Sequence, residues 1–168
     1  KEAADLVEGV TKISRVQEVS PEVRRAETIR KIILAMTDDI RVIFIKLADR
    51  IHNLKTLQHL DEERRRQIAR ETLDIYAPIA NRLGMGRIRA ELEDLSFRYV
   101  APDEFAKIAA SEEPGRRAAE ADLKGMKKTL EELVRENGIP AEVFSRIKRP
   151  YSVWSKMKRR DIAIDQVF

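Results

Sequence analysis

Apolar residues recur along most of this chain every three or four positions, the period of an α-helix that buries one face. The clearest stretch is Asp38–Leu57, DDIRVIFIKLADRIHNLKTL, in which Ile40, Ile43, Phe44, Leu47, Ile51 and Leu54 form one stripe. Asp38 or Asp39 can cap its start. At roughly 100° per residue, Asp49, Asn53 and Thr56 fall within about 60° of one another opposite that stripe, with His52 beside them. Val42 and Ile45 lie on the side of Asp49 one and two turns earlier, so the first half of the helix is expected to be apolar all round and buried. A polar stripe that continues a buried face is expected to line a pocket. An ordinary solvated face is the plainer reading of the same spacing.

The remaining pattern predicts further helices. Lys1–Glu8 reads as the tail of a helix closed by Gly9, and Val10–Val19 as an extended loop. Ser20 and Pro21 open a helix with a stripe of Val23, Ala26, Ile29, Ile33 and Met36, ending near Thr37. Asp61 caps the next, which runs to Gly84 and which Pro78 should kink or split; the Arg64–Arg66 run reads as its solvated face. A helix from about Gly86 carries Ile88, Leu92, Leu95 and Tyr99, and Asp103 starts a short one. Ser111–Asn137 is a charged helix with a thin stripe, which reads as a connector between two packed units and is stopped by Gly138 and Pro140. Ala141–Ile147 then alternates as a strand, with Val143, Ser145 and Ile147 on one side and Phe144, Arg146 and Lys148 on the other. Pro150 opens a helix containing Ser152, Lys156, Lys158, Arg159 and Arg160. A strand leading into a basic helix N-terminus suits a polyphosphate, because free N–H groups and cations converge there; a basic surface helix is the alternative.

Composition narrows the class. The 168 residues suffice for one domain, or one domain plus part of another. Aromatics make up only 5%, so Leu, Ile, Val and Ala must fill the core. The net charge of +4, from 33 basic and 29 acidic residues, is too small to mark a nucleic-acid binder by itself. With no Cys, disulfides and thiolate metal sites are excluded. No apolar run approaches the roughly 20 residues that span a bilayer, so no membrane partner is expected and the cytoplasm is the expected compartment. Lys1 opens on a helical pattern without an initiator Met, so the chain is expected to be an internal piece of a longer protein.

KLADRIHNLKTL, Lys46–Leu57, resembles the RelA/SpoT family of alarmone enzymes, which make and degrade guanosine tetra- and pentaphosphate. VEGVTKI, AMTDDIRVIFIKLADRIHNLKTL, RETLDIYAPIANRLGM, ELEDLSFRYV and SRIKRPYSVWSKM follow in family order, leaving only about Ala109–Asn137 generic. The resemblance implies a mainly α fold, a helical bundle of HD-hydrolase type, followed by the opening strand and helix of an α/β synthetase domain. Residues 1–100 would be the C-terminal part of the hydrolase, 101–139 connecting helices, and 140–168 the incomplete start of a nucleotidyltransferase-like synthetase.

The resemblance also implies the activities: manganese-dependent hydrolysis of (p)ppGpp to GDP or GTP plus pyrophosphate, and magnesium-dependent pyrophosphate transfer from ATP to the 3′-OH of GDP or GTP. Asp49 would be a metal ligand, Arg50, His52, Asn53 and Thr56 hydrolase nucleotide-binding residues, and Arg146, Lys148, Ser152 and Lys156 contacts to the ATP phosphates. Ribosome contacts would come through other regions. Departures limit this. Only His52 and His59 are present, with no His-Asp pair and no upstream Glu-Asp, so one metal ligand is supplied and the chain alone is expected to be inactive. Ser145 stands where Gly is usual, and Arg149 and Pro150 replace a His and an apolar residue. Alternatives are a synthetase-dominated homologue with weak hydrolysis, and a non-catalytic helical nucleotide- or RNA-binding module.

Overall fold

The computed structural model describes residues 2–14 and 21–166, and the chain divides into two compact units, 1–100 and 101–168. Among the described residues every regular element is helical. In the first unit these are α1 (Glu2–Ser14), α2 (Pro21–Asp38), α3 (Arg41–Lys55), α4 (Glu62–Glu71), α5 (Ala77–Arg82) and α6 (Gly86–Val100), with a short 3₁₀ turn at Leu57–His59. Ile32, Ile43, Leu47, Leu54, Leu57, Ile75, Tyr76, Ala77, Ala80 and Leu92 form its core.

α1 corrects two expectations. It runs through Gly9, and residues 10–14 are helical; residues 15–20, including the expected cap Ser20, lie outside the described residues. Gly9 packs where α1 meets α3, since a Cβ there would stand 2.9 Å from Val42 Cγ2. Ala is favoured over Gly in a helix by about 1 kcal/mol, but forcing a methyl into a close-packed contact costs roughly 1–3 kcal/mol. The neighbour is a β-branched side chain that is 2% exposed and has one strongly preferred helical rotamer. We therefore expect Gly9→Ala to lower stability by about 1 kcal/mol in thermal melts. Combined with Val42→Ala, it should cost less than the two changes summed.

The turn from α2 into α3 is held by charge. Asp39 Oδ1 accepts from the Arg41 backbone N–H at 2.9 Å, and Arg41 Nη2 donates to Asp39 Oδ2 at 2.7 Å. Arg41 Nη1 also reaches Glu2 Oε1 of α1 at 2.8 Å. The hydrogen bonds from Arg41 hold the Asp39 carboxyl below the usual carboxylate range.

Asp61 caps α4 as expected, accepting from the Arg64 N–H at 2.8 Å. Pro78 breaks the α-helical run, and the residues before it, Thr72–Tyr76, form a π turn closed by the Ala77 N–H to the Thr72 carbonyl. Without an N–H, Pro78 cannot donate to the Asp74 carbonyl in the α-helical pattern; Arg25 of α2 donates to that oxygen instead, Nη2 to O at 3.2 Å. Gly84, at φ +73°, then reverses the chain, and the Met85 N–H returns to the Ala80 carbonyl at 2.9 Å.

In the second unit the short helix from Asp103 and the connector are one element, α7 (Pro102–Glu136), followed by α8 (Pro150–Arg160). Gly138, at φ +63°, closes α7 with the Ile139 N–H on the Val134 carbonyl at 3.0 Å. The strand expected at Ala141–Ile147 is absent. A strand exists only against a neighbour, and among the described residues none is offered. Its alternation survives in part, with Val143 and Ile147 half-buried and Phe144 80% exposed. Val153 of α8 is fully buried, and Lys158 lies 4.8 Å from the centroid of the Trp154 ring.

Candidate functional site

The buried face of α3 is not the stripe that periodicity selects. Val42, Ile43, Lys46, Leu47, Arg50 and Leu54 are buried, whereas Phe44 and Ile45 are each 43% exposed and Ile40 45%. On a helical wheel the buried face is turned by about 70° from the apolar stripe, towards Lys46 and Arg50. The first half of α3 is therefore not buried all round. Long basic stems supply apolar surface while their charged ends find partners, which is why hydropathy misplaces this face.

Those partners organise the site. Lys46 Nζ donates to Asp49 Oδ2 at 3.1 Å, the ammonium side chain being 8% exposed and the carboxylate 39%. Arg50 Nη1 donates to Glu71 Oε2, at the end of α4, at 3.1 Å, and its guanidinium carbon lies 4.1 Å from the centroid of the Tyr76 ring. Burial pulls the Arg50 guanidinium down, but Tyr76 and Glu71 more than reverse this and raise it above its ordinary value. Burial pushes the Tyr76 hydroxyl up, only partly opposed by Arg50.

Asp49 thus stands at the edge of the buried face, with His52, Asn53 and Thr56 exposed beside it. Thr56 forms the C-terminal cap residue of α3, and its hydroxyl donates to the Asn53 carbonyl at 3.2 Å. Lys55 is anchored to Glu91 of α6 at 2.7 Å. The structure brings Asp49, His52, Asn53 and Thr56 to one open side and turns Arg50 away from them, into the packing. A cleft of about 680 Å³ lies at the other end of α3, lined by α1, α2, Asp39 and Val42, and does not include the polar stripe.

Among the described residues no group of three His, Cys, Asp or Glu side chains could hold a metal ion. His59 lies in the 3₁₀ turn beside Gln58, and Asp49 faces an ammonium. The metal site expected from the resemblance is therefore not complete among the described residues.

The second set of expected residues lies on the other unit. Arg146 and Ser152 are exposed, Lys148 and Lys156 partly buried; Ser152 is in the first turn of α8 and Lys156 one turn on. Desolvation, then the neighbouring charges of Lys148, Arg160 and Arg159, lower the Lys156 ammonium below its ordinary value, as expected where cations converge.

Lys46, Glu71 and Tyr76 escaped the reading of the sequence as site residues. The spacing of Lys46 three residues before Asp49 was a usable signal. Nothing in the periodicity pairs Arg50 with residues 21 and 26 positions later.

Comparison with known proteins bears on this geometry. Over 99% of its length the chain is 47% identical to a GTP pyrophosphokinase of Myxococcus xanthus, of which it spans 22%. It is 46% identical, over 100% of its length, to a probable guanosine-3′,5′-bis(diphosphate) 3′-pyrophosphohydrolase of Synechocystis, again covering 22% of that protein. Identity to the guanosine-3′,5′-bis(diphosphate) 3′-pyrophosphohydrolase of Aquifex aeolicus is 44%, over 98% of this chain and 23% of that one. The chain therefore spans less than a quarter of the length of these curated relatives. Residues 1–86 match the model of the HD domain family, a stretch that holds Asp49 and its neighbours together with both partners of Arg50. By that match, and with a helical bundle that agrees with it, the chain belongs to the HD domain family.

Proposed function

We propose that this chain is part of a bifunctional alarmone enzyme of the RelA/SpoT kind. Its first unit contributes to hydrolysis of the 3′-pyrophosphate of guanosine 3′,5′-bis(diphosphate): water adds at phosphorus, the ester to the 3′-oxygen breaks, and GDP and pyrophosphate leave. Its second unit contributes to pyrophosphate transfer from ATP to the 3′-OH of GDP or GTP. The observation that carries this reading is the 44–47% identity, sustained over nearly the whole chain, to proteins named for these two activities.

In this reading residues 1–100 belong to the hydrolase, 101–139 connect, and 140–168 open the synthetase. Manganese serves the first reaction and magnesium the second, with Asp49 as one ligand. Asn53 and Thr56 contact the nucleoside, with His52 alongside. Arg146, Lys148, Ser152 and Lys156 face the ATP phosphates, which suits a cluster of cations around the first turns of a helix. The enzyme works in the cytoplasm.

Steady-state assays of a full-length protein carrying this chain test the assignment. Asn53→Ala should lower kcat/KM for pyrophosphate release roughly tenfold, the cost of one polar contact to the substrate, and leave ATP-dependent transfer unchanged. Lys156→Met should do the reverse. Normal hydrolysis by a combined Asn53→Ala/Thr56→Val variant would remove the nucleoside from this face.

A further inference from the structure

We infer that Arg50 is a positioning residue: by gripping both ends of the π turn, Glu71 before it and Tyr76 at its end, it sets the roll of α3 and thereby where Asp49 and Asn53 stand. The inference rests on the proposed nucleotide-facing side of α3 and adds to it a residue that acts without touching substrate.

Three observations support it. Arg50 is 9% exposed, and its Nε is buried with no hydrogen-bond partner among the described residues, so the side chain lies mainly in the packing rather than on the open side of α3. Its Nη1 and its guanidinium carbon are engaged by two different residues of the neighbouring helical run, at 3.1 Å from the Glu71 carboxylate and 4.1 Å from the centroid of the Tyr76 ring. A guanidinium held at two points, by a carboxylate and over an aromatic ring, fixes orientation as an ammonium cannot. Finally, Asp49 is the adjacent residue on the same turn, so any roll of α3 that loosens Arg50 displaces Asp49 with it. A roll of about 20° moves a side-chain tip at a radius of about 5 Å by nearly 2 Å, enough to cost a reaction dearly.

Charge makes the test decisive, because Glu71 is an anion and the substrate a polyanion. In the full-length protein, Glu71→Gln, Arg50→Lys and the double variant are assayed for hydrolysis of guanosine 3′,5′-bis(diphosphate), with Asn53→Ala alongside. A positioning role predicts that Glu71→Gln and Arg50→Lys each lower kcat roughly tenfold, and that the double variant falls no further than either alone. ATP-dependent transfer and the thermal midpoint of the second unit should stay unchanged. If Arg50 instead contacted the nucleotide, removing Glu71 would free it and lower KM, and that result would overturn the inference. A lowered melting midpoint with normal kinetics below it would also overturn it, leaving the pair purely structural. Silence of Asn53→Ala while the pair variants act would fault the assignment of the nucleoside face rather than the role of Arg50. Should Glu71→Gln not fold, Glu71→Asp, which keeps the charge but shortens the reach, should show the same fall in kcat.

Discussion

In a full-length protein carrying this chain, on the proposed function, Asp49→Ala is expected to lower pyrophosphate release from guanosine 3′,5′-bis(diphosphate) at least roughly a hundredfold and to leave ATP-dependent transfer measurable. Asp49 is the only carboxylate on α3, and it stands at the boundary between packed and open sides. Its oxygen also neutralises the Lys46 ammonium, whose side chain is 8% exposed, so its removal leaves positive charge in a poorly solvated position. Two explanations of lost activity therefore have to be separated. Lys46→Met in the Asp49→Ala background removes that poorly solvated ammonium. If Asp49 serves only to neutralise Lys46, the double variant regains hydrolysis. If Asp49 acts on the reaction, the double variant regains stability alone. Normal hydrolysis by Asp49→Ala would sink the assignment outright.

The largest stability effect is expected at Leu47, in the middle of α3 and fully buried within the core of the first unit. Leu47→Ala should cost roughly 3 kcal/mol, the lost transfer energy plus the cavity left behind. For a unit of this size that is a fall in thermal midpoint of roughly 10 °C or more. Leu47→Met, which keeps the volume, should cost less than about 1.5 kcal/mol. A loss below 1 kcal/mol for the alanine variant would mean that α3 is not seated as described, and would weaken every argument built on its orientation.

Much of this was legible in the sequence where local chemistry decides. Asp61, Gly84 and Gly138 act as read, because a cap and a left-handed residue need only their own helix. Pro78 was read as a break, but its form was not, since the freed carbonyl is met by Arg25 from 49 residues away, a partner no local pattern announces. Gly9 was misread because its role lies in a contact with Val42, and isolated glycine more often ends a helix. Asp49, Asn53 and Thr56 share a side, as helix geometry requires. Arg50 does not join them, because its direction is set by Glu71 and Tyr76. The strand at 141–147 carried a true alternation, and alternation cannot supply a neighbour to pair with.

The π turn at Thr72–Tyr76 makes residue count itself part of this architecture. Such a turn accommodates one residue more than an α turn. A deletion inside it would let the run continue as a regular α-helix with its flanking faces in phase, whereas a deletion in the regular turns of α4 would swing everything beyond it by about 100°. After such a swing Ala77 and Ala80 would leave the core, and Tyr76 would leave Arg50. A one-residue gap is therefore a larger change in α4 than in the π turn, which absorbs it.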